Sequence, residues 1–357
     1  MRWLLCFALS SLTACDRLES MVPAGESCRR TTLVNAPLLP ERVAWTETTD
    51  TAEQRVLDLW CETVGPAVVI HAPASAYPGD VLVDSIAIVS WNTHVGGADI
   101  ERFVRDLRAG RFTQGDSVHH FVLLLQEVYR AGDDLPERVR VAVPSRIAID
   151  PPGSRPRRDI VQTAAALGLS LLYVPSMRNG AAPGLPREDR GNAILATLPL
   201  EDLRALDLPY EVQRRVAAIA EIDVDDADGE DWDLTLLSVH LDTRSRFARI
   251  HASAGAGRLR QASVLVNEMA EDEPITVGGD FNTWAPGFFE RAIPFLRAAL
   301  PDTPEPPPQP TYERRGIKGR LDYLFFRLPN DWQATYHRID AQYGSDHYPL
   351  LGWIKTR

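Results

Sequence analysis

The chain has no run of about 20 apolar residues, so no segment of it is expected to span a membrane. Cysteine is scarce, four among 357 residues, and no Cys/His cluster has the spacing of a zinc site. A Gly-x-Ser-x-Gly elbow, a phosphate-cradling P-loop and a dinucleotide fingerprint are missing, which removes the chemistries built on them. Basic charge is also short: 38 Lys and Arg stand against 49 Asp and Glu, a net charge of −11. Nucleic-acid binders are more often basic or carry a basic stripe. That test is weak against a hydrolase, because bound metal ions supply positive charge locally. No internal repeat is present. What remains is ordinary for a globular protein of one large domain or two, with 45% apolar residues.

The start of the chain reads separately. Arg2, the short apolar stretch Leu4 to Leu12 and Leu12-Thr-Ala-Cys15 have the form of a cleaved export signal. Leu-Thr-Ala-Cys resembles the lipobox of bacterial lipoproteins, which makes residues 1–14 a signal peptide and Cys15 the lipidation site. Lipid on Cys15 would hold the protein on a membrane surface, facing the periplasm or the exterior, without spanning it. A chance apolar start to a cytosolic chain is the other reading. With Cys6 and Cys15 set aside, Cys28 and Cys61 read as one disulfide, worth about 3–4 kcal/mol in the chain-entropy model; two buried thiols are the alternative. Residues 15–80 then form a tether and N-terminal extension, with a short helix over Thr51 to Glu62 and an edge strand over Gly65 to Ile70. No chemistry is evident there.

Residues 81–357 are regular. Ile86 to Trp91 is apolar on both faces, as a central strand covered on both sides would be. Ile100, Phe103, Val104 and Leu107 keep helical spacing up to Gly110. Further strands are expected at Phe121–Leu125, Leu169–Val174, Ala193–Ala196, Val216–Val224, Leu234–Val239, Leu321–Phe326, Ala334–Arg338 and Leu350–Ile354. Helices are expected over Arg158–Leu167, Arg258–Met269 and Gly287–Leu300. The acidic turn Asp225 to Asp231 leaves no room for a crossover helix, so its flanking strands form a hairpin and the sheets are not all parallel. Pro175 to Arg190 and Pro301 to Pro310 read as exposed loops, the second a candidate for polyproline recognition.

Apolar strands finishing in polar residues carry the chemistry. Asn92, Glu127 and His240 each end one, and Asp280 and Asn282 end Val277-Gly-Gly-Asp-Phe-Asn-Thr283, two apart and so on one side of an extended chain. Asp322 lies in Arg320-Leu-Asp-Tyr323, and Asp346-His347 precedes the last strand. Each alone is a turn or cap residue more often than a ligand. Several together mark the place where ligands of sheet proteins bind. Mg²⁺ prefers carboxylate and phosphate oxygen, and Glu127 is the best lone carboxylate for it. His240 and His347 suit proton transfer and phosphate neutralisation near neutral pH.

In order, Trp-Asn-Thr-His, Leu-Gln-Glu, Gly-Asn-Ala-Ile-Leu, Ser-Val-His-Leu, Gly-Gly-Asp-Phe-Asn, Arg-Leu-Asp-Tyr and Gly-Ser-Asp-His resemble the endonuclease/exonuclease/phosphatase superfamily over Val81 to Arg357. The resemblance implies a four-layer α/β sandwich, with two mixed sheets face to face and helices outside. It implies a Mg²⁺-dependent phosphoesterase, Mn²⁺ being the alternative ion, acting on DNA, a phospholipid or a small phosphodiester. By the same resemblance Glu127 is the main metal ligand, with Asn92 and Asp346 beside it. Asp280 orients or deprotonates the attacking water, and Asn282 holds the phosphate or that water. His347, oriented by Asp322, contacts the scissile phosphate, and His240 is the second histidine. Arg190 and Asn192 are candidates to reach the substrate. Where some members carry aspartate, this chain has His94, which would alter metal geometry or, as expected here, face solvent. The carboxylate partner of His240 stays open among Glu188, Asp189 and Asp242. A non-catalytic phosphate-binding lipoprotein and a cytosolic DNA-repair nuclease are the rival readings. No protein partner is evident.

Overall fold

A computed structural model describes residues 27–34, 42–72, 85–136, 157–179, 187–225, 231–243, 254–270, 273–284 and 290–355. The larger of two main sheets has eight strands. Their order is β1 (Thr31–Val34), β3 (Ala67–Ile70), β6 (Ser170–Arg178), β7 (Glu188–Ala196), β5 (Phe121–Ala131), β4 (Ser85–Asn92), β16 (Leu350–Lys355) and β15 (Gln333–Arg338). The six-stranded sheet runs β14 (Asp322–Arg327), β11 (Ile275–Asp280), β10 (Asp231–His240), β9 (Val216–Asp225), β8 (Glu201–Asp207) and β2 (Ala44–Thr46). A hairpin of β12 (Tyr312–Arg314) and β13 (Ile317–Gly319) stands apart. Both main sheets are mixed: β4 pairs β5 in parallel and β16 antiparallel, while β10 pairs β11 in parallel and β9 antiparallel.

Alternation along the strands explains the layers. In β4, Ile86 and Ile88 face the second sheet and share a core with Leu234, Leu324 and Phe326. Ala87, Val89 and Trp91 face the other way, against Phe103, Val104 and Leu107 of α2 (Ile100–Arg108) and Ile160 and Ala164 of α3 (Ile160–Leu167). The outer face of the smaller sheet packs through Val277 and Phe325 on Ala262 and Leu265 of α4 (Ala254–Asn267) and Leu296 of α5 (Ala292–Ala299). The result is the expected four-layer α/β sandwich. Caps set the helix starts: Asp99 and Asp159 accept from the backbone N–H of Arg102 and Gln162. Among the described residues no helix is long and apolar enough to cross a membrane.

Two expectations change. The stretch 67–70 is buried throughout and lies between β1 and β6, so it is an interior strand; the edge is β1. The segment 175–190 is not one exposed loop, because β6 continues to Arg178 and β7 begins at Glu188, all buried. Pro175 sits at a register shift, where a residue without an N–H is tolerated in a sheet. The extension from residue 27 adds β1 and β3 to one sheet and β2 to the other, and α1 (Thr51–Cys61) carries the Cys61 end of the Cys28–Cys61 disulfide. Residues 1–26, with Cys15, lie outside the described part.

Glycine allows the sheets to meet. A Cβ on Gly278 would stand 2.8 Å from Leu124 Cδ1 and 2.9 Å from Ser90 Cβ, both on the opposite sheet. Gly278→Val is therefore expected to cost about 1–3 kcal/mol by overpacking, measured as a lower urea midpoint at unchanged m-value.

Candidate active site

The polar strand ends converge on one cavity of about 440 Å³. Asn92, Glu127, Arg190, His240, Asp280, Asn282, Asp346 and His347 all line it. Asp280 is the hub. Its Oδ2 accepts from Asn92 Nδ2 at 2.9 Å, and its Oδ1 accepts from the Asn282 N–H at 2.9 Å. His240 Nε2 lies 3.5 Å and His347 Nε2 3.8 Å from Asp280 Oδ2. Burial raises the Asp280 carboxyl to about 7; the neighbouring His347 charge pulls it down and Asp322 pushes it up.

The backbone turns at Asn282 instead of extending, with φ 52°. The expected same-side placement of Asp280 and Asn282 comes from this turn, which asparagine tolerates in the left-handed region. Asn282 Nδ2 donates to Leu241 O at 2.9 Å and faces His240 Nε2 at 3.0 Å. An amide so anchored presents N–H to the ring, which makes His240 Nε2 the acceptor and fixes the tautomer protonated at Nδ1.

His347 is held from three sides. Trp91 Nε1 donates to its carbonyl at 3.1 Å, its N–H donates to Ser345 Oγ at 3.0 Å, and Nδ1 meets Asp322 Oδ2 at 2.9 Å. Burial alone would lower its pKa; the Asp322 charge and hydrogen bond, with Asp280 and Asp346, reverse this and raise it to about 10. Asp322 does not line the cavity and acts through the imidazole. Asp280, Asp322 and His347 offer ligand atoms within 4.8 Å of one another, a cluster able to hold a metal ion.

Glu127 occupies a bulge in β5 at φ 50°. Bulges re-aim side chains, and a left-handed glutamate costs about 1–3 kcal/mol that the surrounding sheet sustains. Its Oε2 is 3.6 Å from Arg190 Nη1. His94 does not face solvent: it is buried, lines the cavity at φ 50°, and its Nδ1 contacts Asp346 Oδ1 at 3.1 Å. Its Nε2 is buried without a hydrogen-bond partner. Burial would raise the Asp346 carboxyl, but the His94 hydrogen bond and the His347 and Arg314 charges hold it below the usual range.

Asn192 is not brought to the cavity. Its Nδ2 donates to Val216 O at 2.8 Å and Ser238 O at 3.1 Å, tying β7 to the other sheet. The expected partners of His240 are engaged elsewhere as acceptors: Glu188 with Tyr129, Asp189 with Tyr173 and Gly65, and Asp242 with the Val212 and Gln213 N–H groups. Asp280 Oδ2 neighbours the ring, 3.5 Å from His240 Nε2, but an Nε2 that accepts from Asn282 has no proton to give it. Residues missed from the sequence are Arg215, Arg314, Trp284 and Tyr312, all in the lining. Arg215 had one signal, its place before an apolar strand, but it lies in no motif.

If Asp280 takes a proton and His347 acts as a cation, activity rises with pH as Asp280 ionises and falls as His347 loses its proton near pH 10. A bound cation favours the carboxylate, so the rising limb falls at or below about pH 7. Asp322→Asn removes the main stabiliser of the imidazolium, and the alkaline limb should move down by about 1–3 pH units, read from a pH profile of kcat/KM.

The model of the endonuclease/exonuclease/phosphatase family matches residues 89–347. No curated protein sequence matches the chain. An endonuclease/exonuclease/phosphatase from Beutenbergia cavernae is 18% identical over 77% of this chain and 72% of its own, with a TM-score of 0.51, a likeness of fold. A family protein from Leptotrichia buccalis is 15% identical over 76% and 99%, with a TM-score of 0.48. A mannosyl-6-phosphatase of Bacteroides thetaiotaomicron is 12% identical over 75% and 99%, with a TM-score of 0.42. With most of its motif residues gathered on one cavity and all seven motifs inside the matched span, the chain belongs to the endonuclease/exonuclease/phosphatase family, whose members are hydrolases of phosphate esters.

Proposed function

We propose that the protein is a Mg²⁺-dependent phosphoesterase, with Mn²⁺ the alternative ion, that hydrolyses a phosphodiester by direct attack of water. The observation that carries this reading is the meeting of buried Asp280, two histidines and the Glu127 carboxylate in one cavity. The side chains suit a divalent cation. Glu127 sits in a strained position with Arg190 no closer than 3.6 Å, and the nearby His94 Nε2 is a buried, unpartnered donor atom. Glu127 and Asn92 Oδ1 would hold the ion, with Asp346 behind His94. His347 Nδ1 already engages both Asp322 oxygens, at 3.1 and 2.9 Å, so that cluster serves the imidazole in this reading. The ion, when bound, neutralises phosphate oxygen charge.

The chain's own groups do the rest. Asp280, with its raised pKa, accepts a proton from the attacking water. The His347 imidazolium offers Nε2–H to a phosphate oxygen, and Asp322 fixes its orientation. Asn282 holds His240 with Nε2 as acceptor. DNA, a phospholipid headgroup and a small diester all meet these requirements. The proposal includes a bacterial cell-envelope location with lipid on Cys15; the Cys28–Cys61 disulfide supports an oxidising compartment.

Cleavage of bis-p-nitrophenyl phosphate should exceed that of p-nitrophenyl phosphate and vanish with chelator. Asp280→Asn and Glu127→Gln should each lower kcat by about 10²–10⁴-fold at unchanged melting temperature. Full turnover in chelator, or undiminished variants, defeats the reading. For the anchor, Cys15→Ser expressed in a bacterium should leave the membrane fraction; a variant that stays membrane-bound refutes lipidation there.

A further inference from the structure

Two neighbouring arginines have opposite fates. Arg214 is fully buried and fully engaged: Nε donates to Asp207 Oδ1 at 2.7 Å, Nη1 to Pro175 O at 2.9 Å, and Nη2 contacts Cys28 Sγ at 3.2 Å. Arg215, one residue on, points to the opposite side and lines the cavity. It is only 4% exposed, and its Nε has no hydrogen-bond partner. No carboxylate among the described residues lies within ion-pair distance of its guanidinium, although the charges of Asp242, Glu127 and Asp280 act on it from farther away. Arg190, 7% exposed, joins it in the lining, also with an unpartnered Nε and with Glu127 as its one loose counter-charge.

A structural guanidinium this deeply buried carries partners, as Arg214 does and as Arg258 does with Glu290 at 2.7 Å. Burying one without a direct partner is unfavourable, and the charges of Asp242, Glu127 and Asp280 offset only part of the lost hydration. Arg215 therefore belongs to a ligand-binding wall that an anion completes. Its planar donors suit phosphate oxygens. The scissile group alone does not require it. A phosphodiester has a single negative charge, and the His347 imidazolium is already placed in the cavity to meet it.

We infer that Arg190 and Arg215 form a second anion subsite beside the hydrolytic centre, and that the substrate carries a further phosphate group in addition to the one attacked. This rests on the phosphoesterase reading for the first phosphate. The subsite itself is a matter of binding and stands on the two buried guanidinia.

Two p-nitrophenyl esters of thymidine 5′-phosphate, one with and one without a 3′-phosphate, test it on the full-length protein with Mg²⁺. The phosphorylated ester should show a KM about tenfold lower or more, and Arg215→Gln should collapse the difference between the two esters. Equal KM values in the wild-type protein overturn the subsite while leaving the phosphoesterase reading intact, and this comparison needs no variant to fold. If neither ester is hydrolysed, the phosphoesterase reading fails and calorimetry in chelator decides the subsite alone. Pyrophosphate should then bind about tenfold more tightly than orthophosphate. Arg215→Gln and Arg190→Gln should abolish this preference, and Arg215→Lys should keep part of it. A folded Arg215→Gln protein that keeps the full preference, or a wild-type protein without one, refutes the proposal.

Discussion

The close approach of the two sheets at β4 and β11 is the constraint on which the site depends. Gly278 admits Ser90 and Leu124 of the facing sheet where a Cβ would collide with both. Two residues on, the Asn92–Asp280 hydrogen bond at 2.9 Å joins chain positions 188 apart. Without that proximity the buried Asp280 carboxylate would keep only its local donor, the Asn282 N–H, at a cost of about 1–3 kcal/mol for the lost partner. With it, two amide donors and two histidines surround one carboxylate. The same contact brings polar residues of both sheets into one cavity, because Asn92 belongs to the large sheet and Asp280 to the small one.

Strain collects along the same rim. His94, Val95, Glu127 and Asn282 all have φ between 50° and 53°, and all four line the cavity. None is glycine, so each conformation is held by its surroundings. Thr93 Oγ1 accounts for part of this, donating to the carbonyls of Gln126 and Glu127 at 3.0 Å each and fixing the β4 turn against the β5 bulge. Two irregular segments thus brace each other and aim Glu127 and His94 inward.

The N-terminal extension is woven into the sandwich. Arg214 reaches Cys28 and stacks over Trp45 at 5.3 Å, while Arg260 pairs with Glu53 at 3.1 Å. The Gly65 N–H donates to Asp189 Oδ2 at 2.8 Å. The three strands extend both sheets and leave β1 and β2 at their margins, so this part of the chain completes the fold although none of its described residues lines the cavity.

Much of the protein was legible in its sequence. Apolar runs placed most strands, helical spacing placed α2 and α4, and the polar strand ends named seven residues of the cavity wall, with Arg190 an eighth from its motif. These are local properties, fixed by which residue follows which. Short strands such as β2, β8 and β12 carry too little pattern to stand out, and Pro175 hid a continuing strand because the sequence does not show that it meets a bulge. The tertiary structure alone decided which polar side chains share an enclosure. Asn192 and Arg190 lie two apart in one motif, yet the first is spent on backbone carbonyls of the other sheet and the second opens into the cavity. His94 was expected to face solvent and is buried against Asp346. Arg214 and Arg215 show the reason most directly. Neighbours in the segment leading into β9 point to opposite sides, but which side is a packed seam and which a binding site is set by segments far away in the sequence.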